Sequence, residues 1–381
     1  MRPEPRSIES VESFVVKIGE REPGHPYYGE TDYYPTDICV YSSKFEQTLI
    51  KITTESGLEG WGEVQAPVAP EVAATLIETL LGPMLLGEDP ADVERLWDRM
   101  YESMNVRGHY QGFMIDAMAG LDIALWDLKG KILDAPVSSL LGSRRRDELS
   151  AYVTGPGENA HEYLTEGFSA IKIGRVTDIS DLDSVQGAVS DYPPASLLVD
   201  HHWSMDAAHD AIRLGRQLEE LGVGFVEAPL PPEDIDGAAR VTDALDVPVA
   251  LGESLRTTHD FKLRLQRNAL DIAQPDVNRT GLTEGMRIAA LVDAHRQPVA
   301  PHIGGSPSVA MIATWHLSSA IPNFLIQEHQ PSRFTASNEY LSREIEVDDG
   351  RLPVPDGSGL GIDIDESALE SYITEKRVVR A

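Results

Sequence analysis

Seven short apolar runs, each ending in a residue capable of chemistry, recur at near-constant spacing from about residue 170 onward. They end at Lys172 in AIK, Asp200 in LLVD, Glu227 in GFVE, Glu253 in VALGE, Asp276 in LDIAQPD, His302 in PVAPH and Glu328 in FLIQE, 23 to 28 residues apart. Such a step accommodates one buried strand, a turn, one helix and a return turn. The intervening stretches have helical spacing: MDAAHDAIRLGRQLEELG, TEGMRIAALVDAHR and SPSVAMIATWHLSSA each carry apolar residues at i, i+3 and i+4. With LSAYVTG as a first strand, eight strands lie between about 149 and 328, the number for a (β/α)8 barrel. An open doubly wound sheet is the competing architecture; the Gly-rich phosphate loop it often carries is not evident. In a barrel, catalytic groups sit at the C-terminal ends of strands. A single Asp after a strand is commonly a helix N-cap, but seven polar strand ends in register are poorly explained by capping.

The region before the barrel has a different pattern. FEQTLIKITTESGLEGWGEV alternates on either side of ESGLEG, as a hairpin does, and PEVAATLIETLLGPMLLG and FMIDAMAGLDIALWDLKGKIL read as amphipathic helices. Residues 1–148 therefore read as an α+β capping domain and 149–345 as the barrel. Residues 346–381, rich in Gly and Pro at the start, read as a segment returning to the cap. Hydrophobic residues make up 41% of 381, enough for a core. There is one cysteine, Cys39, hence no internal disulfide or thiolate metal cluster. No apolar stretch approaches the ~20 residues of a membrane span, and the N-terminal residues show no signal-peptide core. A soluble, cytoplasmic protein is expected. The 32 basic against 62 acidic residues give a net charge of −30, which disfavours nucleic acid and anionic membranes as partners. That surface fits either simple solubility or life in high salt.

Asp200, Glu227 and Glu253 offer hard oxygen donors on consecutive strands, a set suited to Mg2+. The Asp200-x-His202 spacing keeps zinc open. Asp276 and His302 end the next two strands; a carboxylate beside an imidazole fixes its tautomer and makes a general base. Gly304 and Gly305 follow and permit close backbone approach to a ligand. Lys172, placed across the ring of strands from His302, suits an oxyanion or, alternatively, a Schiff base. Glu328, if protonated, would hydrogen-bond the same oxyanion.

These motifs together resemble the mandelate racemase branch of the enolase superfamily. The resemblance runs through GLEGWGEV and GLDIALWDLKGK in the cap, then AIKIG, VDHHW, VEAPL, LGES, QPDVNRTG, PHIGG and FLIQEH. It implies a modified (β/α)8-type TIM barrel under an N-terminal α+β cap. It also implies Mg2+ on Asp200, Glu227 and Glu253, a His302–Asp276 base dyad, an enolate-stabilising Glu328, and assembly as a homo-oligomer, from dimer to octamer. The chemistry implied is abstraction of the proton α to a carboxylate through an enolate. Many relatives read Lys-x-Lys on the second strand, whereas here Lys172 is followed by Ile173 and Gly174. A base opposite His302 is therefore missing, which disfavours two-base racemisation. The Asp200-x-His202 pair is similar to galactonate-type sugar-acid dehydratases, in which that His is the general acid. With strand-like alternation, His202 would point to the same side as Asp200, and His201 away. The expected function is dehydration of an aldonate or aldarate to a 2-keto-3-deoxy acid: His302 removes the C2 proton and His202 protonates the departing 3-hydroxyl. A lactone cycloisomerase or epimerase, or an inactive ligand-binding relative, is the alternative. The loop REPGHPYYGETDYYPTD would bring Tyr33 and Tyr34 to the substrate, or else make an oligomer contact. Arg107 and His109 of NVRGHYQG would meet its far end.

Overall fold

The computed structural model describes residues 6–21, 25–304 and 308–381. The ESGLEG turn closes as expected: Phe45–Thr54 and Glu59–Val64 pair antiparallel, with Thr54 N–H donating to the Leu58 carbonyl at 2.9 Å. Ile8–Ile18 pairs with Phe45–Thr54 on one side and Ile373–Arg380 on the other, completing a four-stranded antiparallel sheet. Of the later segment, Arg351–Pro353 instead lies antiparallel to the first barrel strand.

Helix Phe113–Leu133 covers the cap sheet. It is buried on nearly every side, because the barrel covers its other face. Its acidic positions are thus interior anchors and not a solvated stripe. Asp116 forms a two-pronged ion pair with Arg256 at 2.7 and 3.0 Å. Asp122 accepts from Thr283 N and Oγ1, and Asp127 from the Trp61 and Leu360 N–H groups. The expected helix over PEVAATLIETLLGPMLLG is interrupted. Pro70–Leu76 passes through a wider π-turn at Ile77–Leu81 before Gly82–Leu85. Pro83 has no N–H to donate to the preceding turn, and the wider turn absorbs that loss.

The barrel strands Glu148–Thr154, Ala170–Gly174, Ser196–Asp200, Val226–Glu227, Val249–Leu251 and Ile272–Ala273 are parallel neighbours in sequence order. The seventh position is held by single bridges at Val299 and His302, and Gln327–His329 pairs with the first strand. Backbone bonds from Ala300 N–H to Ala273 O (2.9 Å) and from Leu325 N–H to Val299 O (2.8 Å) close the ring. One interior layer takes Tyr152, Ala170, Leu198, Phe225, Ala250, Ile272, Ala300 and Ile326, one from each position, so large and small side chains share the bore. On the third strand Leu197 and Val199 face the helices while Leu198 faces the bore. Alternation then turns Asp200 into the barrel mouth. Among the described residues, no helix is long and apolar enough to cross a membrane.

Candidate active site

Strand register carries the polar ends to one level: Gly174 lies opposite Asp200, Asp200 opposite Glu227, and Asp276 opposite His302. Fully buried Lys172 sits in the middle of the acidic groups. Its Nζ is 2.8 Å from Glu227 Oε2 and 3.1 Å from Glu328 Oε1, above the Tyr152 ring. Burial works to discharge this amine, but Glu227 and Glu328 outweigh it and hold it protonated. A Schiff-base role needs the opposite. Glu328 lies between Lys172 and His302, with Oε2 3.8 Å from His302 Nε2, so one carboxylate bridges two groups expected on opposite sides.

The His302–Asp276 contact has the geometry of an oriented base. Nδ1 lies 2.8 Å from Asp276 Oδ2, while Asp276 Oδ1 is fixed by the Asn278 N–H and Nδ2 at 2.9 and 2.8 Å. Burial alone would lower the His302 pKa; Glu253 and Glu328, with Asp276, outweigh it and hold the ring well above its usual range. Burial pushes Glu328 up, yet Lys172 and His302, helped by Thr154 Oγ1 and the Ile303 N–H, hold it at about 2. Beside Lys172 and His302 the ionised carboxylate is favoured over the neutral form that a hydrogen bond to an oxyanion needs.

The carboxylates have the character of a cation site. Glu227 Oε1 and Glu253 Oε1 are buried without a hydrogen-bond partner. Oxygen atoms of Glu227 and Glu253 and a ring nitrogen of His302 lie within 4.8 Å of one another. Burial, and then the neighbouring carboxylates, push Glu227 up to about 8 against the pull of Lys172. A hard divalent cation would relieve that cost, and the oxygen-dominated donor set suits it. Asp200 is adjacent; its Oδ1 accepts from the His202 N–H at 2.7 Å. His302 Nε2 itself lies 2.9 Å from Glu253 Oε2.

His202 reaches this edge by a route that strand alternation does not describe. The strand stops at Asp200, and His202 and Trp203 adopt φ of +51° and +56°, so a two-residue period no longer sets direction. The ring nonetheless lies with Nδ1 3.7 Å from Asp200 Oδ2, against Trp203, while His201 is buried with Nδ1 on the Val176 carbonyl. The cap residues fare unevenly. Tyr33 Oη donates to Glu46 at 3.0 Å and accepts from Ala69 N–H, so it is engaged inside the cap. Tyr34 stacks among His25, Tyr27 and Tyr41. Arg107 and His109 are exposed on a loop whose Gln111 holds Asp260 of the barrel. Gly305 and residues 22–24 of the tyrosine loop lie outside the described residues.

Four residues at the site escaped sequence reading. Gln274 donates to Glu227 Oε2 at 2.6 Å; it stands two before Asp276, and period two on that strand was a usable signal. Thr154 donates to Glu328. Gln65 reaches over Gly304 from the cap, and Tyr41 contacts His202. Nothing local marks these last two, since their contacts cross between cap and barrel.

Known proteins share this sequence pattern and this fold. Residues 157–368 match the enolase C-terminal domain-like family, and residues 30–142 match the mandelate racemase / muconate lactonizing enzyme N-terminal domain. A D-galactonate dehydratase of Variovorax paradoxus is 33% identical over 84% of this chain and 89% of its own length. A D-galactarolactone cycloisomerase of Agrobacterium fabrum is 31% identical over 85% of this chain and 90% of its own. The crystal structure of a member of the enolase superfamily from Agrobacterium tumefaciens superposes with a TM-score of 0.90 at 30% identity, covering 99% of this chain and 100% of that one.

Proposed function

Because the chain belongs to the mandelate racemase / muconate lactonizing enzyme family of enolase-like barrels, we propose that it dehydrates a sugar acid, an aldonate or aldarate, to a 2-keto-3-deoxy acid. Asp200, Glu227 and Glu253 would hold Mg2+, the use suggested by the two unpartnered buried oxygens. Bound there, Mg2+ supplies positive charge against the substrate carboxylate and makes the adjacent C–H more acidic. With Glu253 engaged by the cation, the His302 ring would be free to give up its Nε2 proton and, neutral, would take the C2 proton there, with Asp276 holding the opposite nitrogen. The Lys172 ammonium stabilises charge that develops on the carboxylate oxygen. His202 protonates the 3-hydroxyl as it departs. Gly174 leaves its side of the site without a base, which suits elimination better than racemisation.

The observation that carries this reading is the second imidazole: His202 stands beside Asp200, as His302 stands beside Asp276. One base alone would serve other family reactions, but loss of hydroxide needs an acid at the leaving oxygen. A second reading, ring-opening cycloisomerisation of an acid-sugar lactone, draws on the relative of that name.

The test is a panel of aldonates, aldarates and their lactones with Mg2+ in deuterated water. Dehydration yields a 2-keto-3-deoxy acid, whereas cycloisomerisation loses no water. His302→Asn should abolish deuterium exchange at C2. His202→Asn should keep exchange while elimination falls by about 10²- to 10⁴-fold, the usual contribution of a general acid. Exchange that persists without His302 refutes its role as base.

A further inference from the structure

His202 is tethered from the cap. Strands Tyr33–Pro35 and Val40–Ser42 pair as a small hairpin, with Tyr34 opposite Tyr41. The Tyr41 hydroxyl lies 2.8 Å from His202 Nε2. Tyr34 stacks on the Tyr41 ring at 6.3 Å within the hairpin, and Arg175, just past the second barrel strand, has its guanidinium 5.2 Å from the same ring's centroid and also interacts with the Tyr41 hydroxyl. The two nitrogens of His202 therefore face different worlds. Nε2 is committed to the cap, while Nδ1 looks toward Asp200 Oδ2 at 3.7 Å and the ring of carboxylates. The His202 backbone, turned to positive φ and tied by its N–H to Asp200 Oδ1, limits the ring to this region.

We propose that Tyr41 is a positioning residue for elimination: by holding Nε2 it makes Nδ1 of His202 the nitrogen that delivers the proton. The proposal rests on the dehydratase reading above. In the step, the Nδ1–H proton passes to the 3-oxygen as the C3–O bond breaks, and that oxygen leaves as water with the bonding pair. The electrons released at C2 form the C2–C3 double bond. The imidazolium becomes a neutral ring whose remaining hydrogen, on Nε2, is donated to the Tyr41 oxygen. The proton from C2 stays on His302. Because Tyr41 is carried by the hairpin, the acid is assembled only when the cap hairpin is seated on the barrel, whereas the His302–Asp276 base lies wholly within the barrel.

Tyr41→Phe keeps the ring and its stacking and removes the hydroxyl, with its contacts to both His202 and Arg175. At one fixed pH, the elimination kcat should fall about 10- to 100-fold, as expected for a misplaced catalytic group, with KM within about twofold and C2 exchange within about threefold of wild type. Equal loss of exchange and elimination, or loss of neither, overturns the assignment. A second measurement does not depend on turnover. In histidine-15N-labelled protein, with His202 signals identified through His202→Asn, Tyr41→Phe should shift the His202 Nε2 resonance and leave His302 unchanged. An unmoved Nε2 resonance also overturns the tether. A shifted resonance in a protein that dehydrates no sugar acid would instead remove the dehydratase reading and leave the tether standing.

Discussion

Gly304 has less freedom than any charged residue near it. A Cβ there would collide with Gln65 Nε2 and come within 2.6 Å of Asp276 Oδ2, the oxygen that holds His302 Nδ1. Gln65 can swing aside, but Asp276 is pinned through its other oxygen by Asn278. Gly304→Ala should therefore disturb the dyad more than the fold. C2 exchange should drop about 100-fold, while urea denaturation shows a loss of about 1–3 kcal/mol, as for overpacking. A variant with normal exchange would mean the dyad tolerates the shift. At this scale the sequence was legible where a strand carried its polar last residue to the barrel mouth, as at Asp200 or Glu227. It was opaque where backbone turned to positive φ, as at His202, and where partners lie 161 positions apart, as Tyr41 and His202 do.

Among elements, helix Val309–Ala320 shows how the cap reaches into the barrel. Glu63, at the end of a cap strand, accepts the Ser308 and Ala310 N–H groups at 3.2 and 2.9 Å, so a carboxylate from the cap serves the first turn of a barrel helix. Burial still pushes Glu63 up to about 7, against those N–H donors. A carboxyl raised on folding favours the native state below its unfolded value and loses that contribution as pH rises through its folded value. The loss from pH 4.5 to 7 amounts to about 3 kcal/mol for a shift of this size. Glu63→Gln, which cannot ionise, should gain stability on the wild type between pH 5 and pH 8 in denaturant titrations; a constant gap would refute it. The barrel's strand–helix repeat could be read in advance because one hydrophobic period follows another. The buried acids of Phe113–Leu133 could not, because a polar position looks the same in sequence whether it meets water or, as at Asp116 and Asp122, an arginine or a threonine of the barrel.

For the whole molecule the dominant physical quantity is charge. A net −30 spread over the surface opposes the compact state, and added salt screens it. The Debye length shrinks from about 10 Å at 0.1 M to about 3 Å at 1 M salt. Calorimetry in NaCl should show Tm rising across that range, and a flat or falling Tm would mean that local ion pairs already neutralise the repulsion. The closure of the cap sheet has an effect on the order of assembly. Thr374 Oγ1 bonds the Val15 carbonyl, 359 residues earlier, within the pairing of Ile8–Ile18 and Ile373–Arg380. During translation that edge of the first strand must wait for the barrel to emerge from the ribosome, so a nascent chain carries an open β-edge through most of its synthesis and is then most in need of a chaperone.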